Sequence, residues 1–196
     1  KVRVKHRICA CTGLPRQDYE WLFEGEKQTP EAVMATLGTM QPTSRFGELF
    51  QYSNPMAAAA GYIGGQIAHP GTELGAGYDQ AMQELVFDPL GMASTTFDYA
   101  KAQSGNFARP HGYDIDHAVR VMGMGLNDTI SASRPAGAAW GTVNDLLRYV
   151  QMEIDRGTLP DGSRYIGEQA LLERRQPQIA LGADRDYAMA LMVDKS

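Results

Sequence analysis

The chain has 196 residues, of which 43% are hydrophobic and 21% are charged, a composition that is ordinary for a globular protein. A net charge of −5, with no basic stripe in the sequence, argues against nucleic-acid binding. The longest apolar runs are far too short to cross a bilayer, so no membrane span is predicted in this segment.

Helical patterns dominate the chain. Thr29 is a good N-cap for one helix, and Asn54 followed by Pro55 is the predicted start of another. Six segments are predicted to be helical: residues 17–24, 30–40, 56–68, 77–88, 143–155 and 168–175. We expect the apolar stripes of these helices to face a core.

The clearest helix signal lies at residues 143–155. Thr142 and Asp145 form a pair that resembles a capping box at its start. The apolar residues of the segment recur at helical spacing and share one stripe: Val143, Leu146, Leu147, Val150 and Ile154. The stripe is predicted to be buried.

Strand signals are few. Residues 112–122 suggest a hairpin around a tip at residues 114–117, and residues 187–193 suggest a terminal strand. The predicted fold class is therefore mainly α with a little β, in a single segment that covers residues 1–196.

Two cysteines, Cys9 and Cys11, are separated by one residue. Cysteines at this spacing rarely form an unstrained disulfide, so a disulfide is not expected. His6 completes an H-x-x-C-x-C cluster that is compatible with zinc, but the sequence offers no evident fourth ligand. Small buried side chains around a turn are the favoured interpretation, and neither a metal nor another cofactor is predicted.

The triplet Tyr52-Ser53-Asn54 lies between a turn at residues 46–51 and the helix that follows Pro55. We expect the Tyr52 phenol and the Asn54 amide to face the same cleft. The alternative is that Tyr52 is a core tyrosine with a satisfied hydroxyl and Asn54 is only a cap. The triplet by itself favours this alternative, because three-residue matches are common by chance.

Five short motifs decide between these interpretations, since they occur in one order along nearly the whole chain. They are C-T-G-L-P at 11–15, F-Q-Y-S-N at 50–54, P-L-G-M with a later threonine at 89–96, P-A-G with T-V-N-D-L at 135–146, and G-T-L-P-D-G at 157–162. In this order they resemble the motifs of serine β-lactamase-related hydrolases. That group includes class C β-lactamases, D-alanyl-D-alanine carboxypeptidases, D-aminopeptidases and esterases.

The resemblance implies a fold and a chemistry. The fold is the helical portion of an α/β fold like that of β-lactamases and penicillin-binding proteins, without most of the antiparallel sheet. The chemistry is acyl transfer from β-lactams, D-amino-acid peptides or small esters to a serine. Tyr52 is implied to move protons and Asn54 to orient the substrate carbonyl, with no cofactor. Members of the family are often, but not always, periplasmic or secreted.

Two family motifs are missing from the chain. No serine is followed by lysine at the third position, as the nucleophile motif S-x-x-K requires, and no K-T-G or H-x-G is found on a strand that would line the cleft. We therefore expect an interior segment of a longer protein, inactive by itself, whose partner is a small-molecule or peptide substrate. The alternative is a non-catalytic family member that binds peptidoglycan peptides or a protein. The sequence leaves oligomeric state open.

Overall fold

The computed structural model of the chain describes residues 2–19, 23 and 28–195, except for the side chain of Leu126. Short 3₁₀ turns lie at Val4–Arg7 and Ser131–Ala136. The α-helices in chain order are α1 (Pro30–Thr39), α2 (Asn54–Ala68), α3 (Leu74–Met82), α4 (Tyr99–Gln103), α5 (Gly125–Asp128), α6 (Val143–Ile154) and α7 (Glu168–Glu173). The predominance of helix agrees with the predicted fold class.

The strands are short and antiparallel. A hairpin pairs β1 (His111–Tyr113) with β2 (Val119–Val121), as predicted. A second sheet has the order β3–β4–β5, from Ile179–Ala180, Arg185–Tyr187 and Met192–Asp194. The prediction of one strand over residues 187–193 is wrong, because the chain turns after Tyr187 and Ala190 adopts a φ of +58°.

Most predicted helices are present, with shifted ends. The side-chain oxygen of Thr29 accepts a hydrogen bond from the Ala32 amide at 3.2 Å, as its role of N-cap requires. Helix α3 begins three residues earlier than the predicted segment, because the Glu73 carboxylate caps its first amides, and it continues through a π-helical turn at Gln83–Phe87. Half of the predicted helix over 17–24 lies outside the described residues. Of the other half, Tyr19 and Phe23 are helical, whereas Gln17 and Asp18 are not, and Gln17 has a φ of +49°.

Helices α2 and α3 form the centre of the fold, where their backbones come very close. A Cβ atom built on Gly65 would lie 2.7 Å from the Tyr78 amide nitrogen, so only glycine fits at this crossing. The fully buried Tyr62 hydroxyl donates a hydrogen bond of 2.5 Å to the Ala132 carbonyl, which ties α2 to the 3₁₀ turn beyond it. The alanine- and glycine-rich sequence of α2 thus serves close packing.

The prediction that the apolar stripe of α6 is buried is wrong, because the stripe is exposed. Val143, Leu146, Leu147, Val150 and Ile154 are each between 46% and 73% exposed. The buried side of the helix carries Asp145 and Met152 instead. Asp145 is held there because its carboxylate accepts hydrogen bonds from the Ser94 amide at 2.8 Å and the Thr95 hydroxyl at 2.9 Å.

The cysteine prediction is also wrong, since Cys9 and Cys11 form a disulfide. Ala10 between them adopts the left-handed conformation, with a φ of +51°, and the two Cα atoms are 5.2 Å apart. This separation lies within the usual range for a disulfide. With both thiols in the bond, the H-x-x-C-x-C cluster has no thiolate to offer a metal.

Among the helices that the structure describes, none combines the length and the apolar character needed to cross a membrane.

Candidate active site

Tyr52 is positioned by a backbone ladder between two turns. The Gln51 amide donates to the Ala10 carbonyl at 2.7 Å, and the Gly47 amide donates to the Cys11 carbonyl at 2.8 Å. These bonds hold the residues before Tyr52 against the disulfide turn. Helix α2 begins two residues after Tyr52, so the phenol lies where an extended segment enters a packed helix.

Tyr52 is 38% exposed, and among the described residues its ring is met by Arg16 and Tyr187. The guanidinium carbon of Arg16 lies 5.5 Å from its ring centroid, a cation–π distance. The ring of Tyr187 meets it edge to face at 6.5 Å. Burial raises the pKa of Tyr187, and the nearby Tyr52 raises it further, so Tyr187 stays neutral and acts as packing.

Tyr52 lines the larger of two adjoining cavities, with a volume of about 570 Å³. Its walls are the disulfide turn, one face of α2, the 3₁₀ turn around Pro135 and the loop after β4. Among the described residues, Arg7 and Arg174 contribute the charged groups of the lining, with neither an acidic side chain nor a lysine beside them.

Asn54 lines the smaller cavity, of about 190 Å³, together with Ile130, Ser133 and Gly137. Ala136 lines both cavities, so the two spaces are neighbours. The side-chain nitrogen of Asn54 donates a hydrogen bond of 3.2 Å to the Asp18 carboxylate. Tyr52 and Asn54 therefore line adjoining cavities that share Ala136, and the expectation that both groups serve one substrate site stays a prediction.

The predicted capping role of Asn54 is wrong. Ser53 is the N-cap of α2 and makes no side-chain capping bond, whereas Asn54 is already helical and uses its side chain on Asp18. Nor is Tyr52 a sealed core tyrosine, since more than a third of its side chain is exposed. Both groups are thus accessible from a cavity, and their chemical roles are taken up below.

Two residues near the site were missed by the sequence analysis. Arg16 lies over the Tyr52 ring, and Asp18 accepts from Asn54; the two also form an ion pair with each other. The only local signal was a pair of opposite charges directly after the G-L-P turn. Which residues such charges meet depends on a contact 36 residues along the chain.

Comparison with known proteins gives one family and several similar structures. Residues 1–195 match the protein-family model described as Beta-lactamase. The octameric penicillin-binding protein homologue from Pyrococcus abyssi is 18% identical with a TM-score of 0.76, over 97% of this chain and 43% of its own. A β-lactamase/D-alanine carboxypeptidase from Pseudomonas syringae is 21% identical with a TM-score of 0.67, over 98% and 48% of the two chains.

A D-amino acid amidase from Ochrobactrum anthropi SV3 is similar to the same extent, at 18% identity and a TM-score of 0.67, over 99% of this chain and 54% of its own. At sequence identities this low, the structural similarity shows a shared fold and nothing beyond it. The chain spans about half the length of these solved proteins, since it covers 43%, 48% and 54% of them.

Proposed function

The chain belongs to the beta-lactamase family, and on this premise we propose that it is part of a serine hydrolase that works through a covalent acyl-enzyme. Its substrates are β-lactams, D-amino-acid peptides or amides, or small esters. The observation that carries the proposal is the accessible Tyr52 phenol on the wall of the 570 Å³ cavity, directly before helix α2.

In this proposal Tyr52 takes a proton from the attacking serine and returns it to the leaving group. Its exposure and its place on the cavity wall support the role, because a proton carrier must reach the reacting atoms. Asn54 orients the carbonyl of the substrate. One N–H of its amide is bound by Asp18, which fixes the group and leaves the second N–H for a substrate oxygen.

The nucleophile has to come from polypeptide outside these residues, because no serine of the chain is followed by lysine at the third position. The shape of the larger cavity supports this assignment. Ala57, Ala60 and Gly61 present the face of α2 that lines it, and small residues allow a neighbouring helix to approach closely. The exposed apolar stripe of α6 is a second surface that further polypeptide of the fold would cover.

The test uses the full-length protein and a fluorophosphonate or labelled penicillin, followed over time. We expect covalent labelling, with an acylation rate constant that falls by about 100-fold or more in Tyr52→Phe, the range for loss of a general acid–base group. Tyr113→Phe is the matched control, since Tyr113 is 75% exposed on the β1–β2 hairpin, and it should label like the unmodified protein.

Residues 1–196 alone should not be labelled, because they lack the nucleophile motif. A full-length protein that has an S-x-x-K serine and yet reacts with neither probe would contradict the proposal. Binding of peptidoglycan peptides without acylation would instead establish the non-catalytic alternative.

A further inference from the structure

The Cys9–Cys11 disulfide holds its turn in a shape that the sequence would not otherwise favour. Ala10 has a φ of +51°, and the left-handed region is unfavourable for any residue with a Cβ atom. The covalent ring keeps Ala10 there by holding its two neighbours together. Once the ring is opened, Ala10 has no local reason to keep this conformation.

The turn is coupled to Tyr52 through the backbone. The Ala10 carbonyl, inside the ring, accepts the 2.7 Å hydrogen bond from the Gln51 amide, and Gln51 directly precedes Tyr52. The Cys11 carbonyl accepts in the same way from Gly47 at 2.8 Å. A change of φ at Ala10 rotates both carbonyls and therefore weakens the ladder that positions Tyr52.

The side chains give a second connection. Cys9 is fully buried and Cys11 is 5% exposed, in a cluster with Ile179 and Tyr187. The ring of Tyr187 is in contact with that of Tyr52, with centroids 6.5 Å apart. Breaking the bond forces two sulfur atoms apart within this packed cluster, and Tyr187 is the neighbour they share with the site.

From this coupling we propose that the Cys9–Cys11 disulfide is a redox-sensitive link that sets the position of Tyr52. A dithiol reductant supplies two electrons and two protons. Its first thiolate attacks one cysteine sulfur and expels the other cysteine as a thiolate, which leaves a mixed disulfide. Its second thiolate attacks the reductant sulfur of this mixed disulfide and releases the first cysteine, so that protonation leaves two S–H groups in place of the S–S bond. Oxidation of the dithiol to its cyclic disulfide balances the reaction. Reduction weakens the hydrogen bonds that hold residues 47–52 against the turn, and reoxidation restores these bonds.

The consequence for activity rests on the proposed function, but the coupling itself does not, so the experiment measures the coupling directly. Mass spectrometry after treatment of the full chain with an alkylating reagent should find both cysteines unmodified before reduction with dithiothreitol and both alkylated after it. Hydrogen exchange should then be about tenfold faster at the Gln51 and Gly47 amides in the reduced protein. The Leu159 amide, bonded to the Ser163 carbonyl at 2.8 Å, is the internal control and should not change.

The variant Ala10→Gly tests whether reduction acts through the unfavourable left-handed conformation of Ala10 or through a general loosening of the turn. Glycine adopts the left-handed region freely, so reduction of this variant should accelerate exchange at Gln51 much less than in the unmodified chain. The double variant Cys9→Ser with Cys11→Ser should match the reduced protein in either redox condition. Cysteines that are alkylated without reductant, or reduction that leaves exchange at Gln51 unchanged, would overturn the proposal.

Acylation measured in both redox states distinguishes this proposal from the proposed function. A full-length protein that is never acylated refutes the hydrolase proposal, whereas the exchange result still decides the coupling.

Discussion

The crossing of α2 and α3 allows a stability test with a built-in control. Helix α2 carries two adjacent glycines, Gly64 and Gly65. A Cβ on Gly65 would lie 2.7 Å and 2.8 Å from the Tyr78 amide nitrogen and Cα, and these are backbone atoms that cannot rotate away. A Cβ on Gly64 would have no atom within 4 Å, because that residue faces solvent.

Replacing either glycine by alanine brings the same gain in helix propensity, about 1 kcal/mol. Gly64→Ala should therefore stabilise the protein by up to about 1 kcal/mol. Gly65→Ala has the same gain but must push two helices apart, and overpacking of this kind costs about 1–3 kcal/mol. The difference in unfolding free energy between the two variants isolates the packing cost, since the propensity term cancels.

The assay is equilibrium unfolding in urea, followed by circular dichroism on the full chain and both variants. The Gly65→Ala midpoint should lie below that of Gly64→Ala by an amount equivalent to about 1–3 kcal/mol, with the slope unchanged. Equal stability of the two variants would refute the reasoning, because it would mean that α2 and α3 are not in backbone contact at Gly65.

Two further predictions concern one buried and one half-buried carboxylate. Asp145→Ala should destabilise the fold by about 3 kcal/mol in urea unfolding, because it leaves the Ser94 and Thr95 donors unpaired. Asp116 is exposed, so Asp116→Ala should be nearly neutral and serves as the control. Equal effects of the two substitutions would contradict the structural role of Asp145. Burial acts to raise the pKa of Glu153, but hydrogen bonds from Tyr149 and Arg175 and nearby positive charge outweigh it and leave the pKa below its ordinary value of 4.5. The stability that ionised Glu153 contributes is therefore present above pH 4.5 and lost as the pH falls through the lower folded-state pKa. The free energy of unfolding, measured from pH 6 to pH 3, should fall, and Glu153→Gln should lessen this fall. Parallel plots of unfolding free energy against pH for the two proteins would count against the prediction.

Local sequence signals located most of the helices. Thr29 and Thr142 cap their helices through hydrogen bonds to amides three residues ahead, a contact that short-range sequence is sufficient to specify. The β1–β2 hairpin is likewise local, since the Asp114 amide bonds the Ala118 carbonyl across its tip. Such elements are predictable because both partners of each interaction lie within a few residues.

The order of five motifs indicated the family, and the match over residues 1–195 bears this out. The roles of Tyr52 and Asn54 stay predictions, and only the structure separated the cavities that they line. Asn54 was expected to cap α2, but Asp18 draws its amide away. No local pattern encodes a partner 36 residues distant.

Tertiary contacts also decided which groups are buried. The periodicity of residues 143–154 correctly indicated a helix, yet a hydrophobic stripe shows only which side chains gain from burial, not what is available to cover them. Asp145 is buried because distant donors at Ser94 and Thr95 meet its carboxylate. The Cys9–Cys11 bond likewise closes a left-handed turn at Ala10 that no propensity of alanine predicts, and the Ala10 carbonyl accepts from the Gln51 amide, which is distant in sequence.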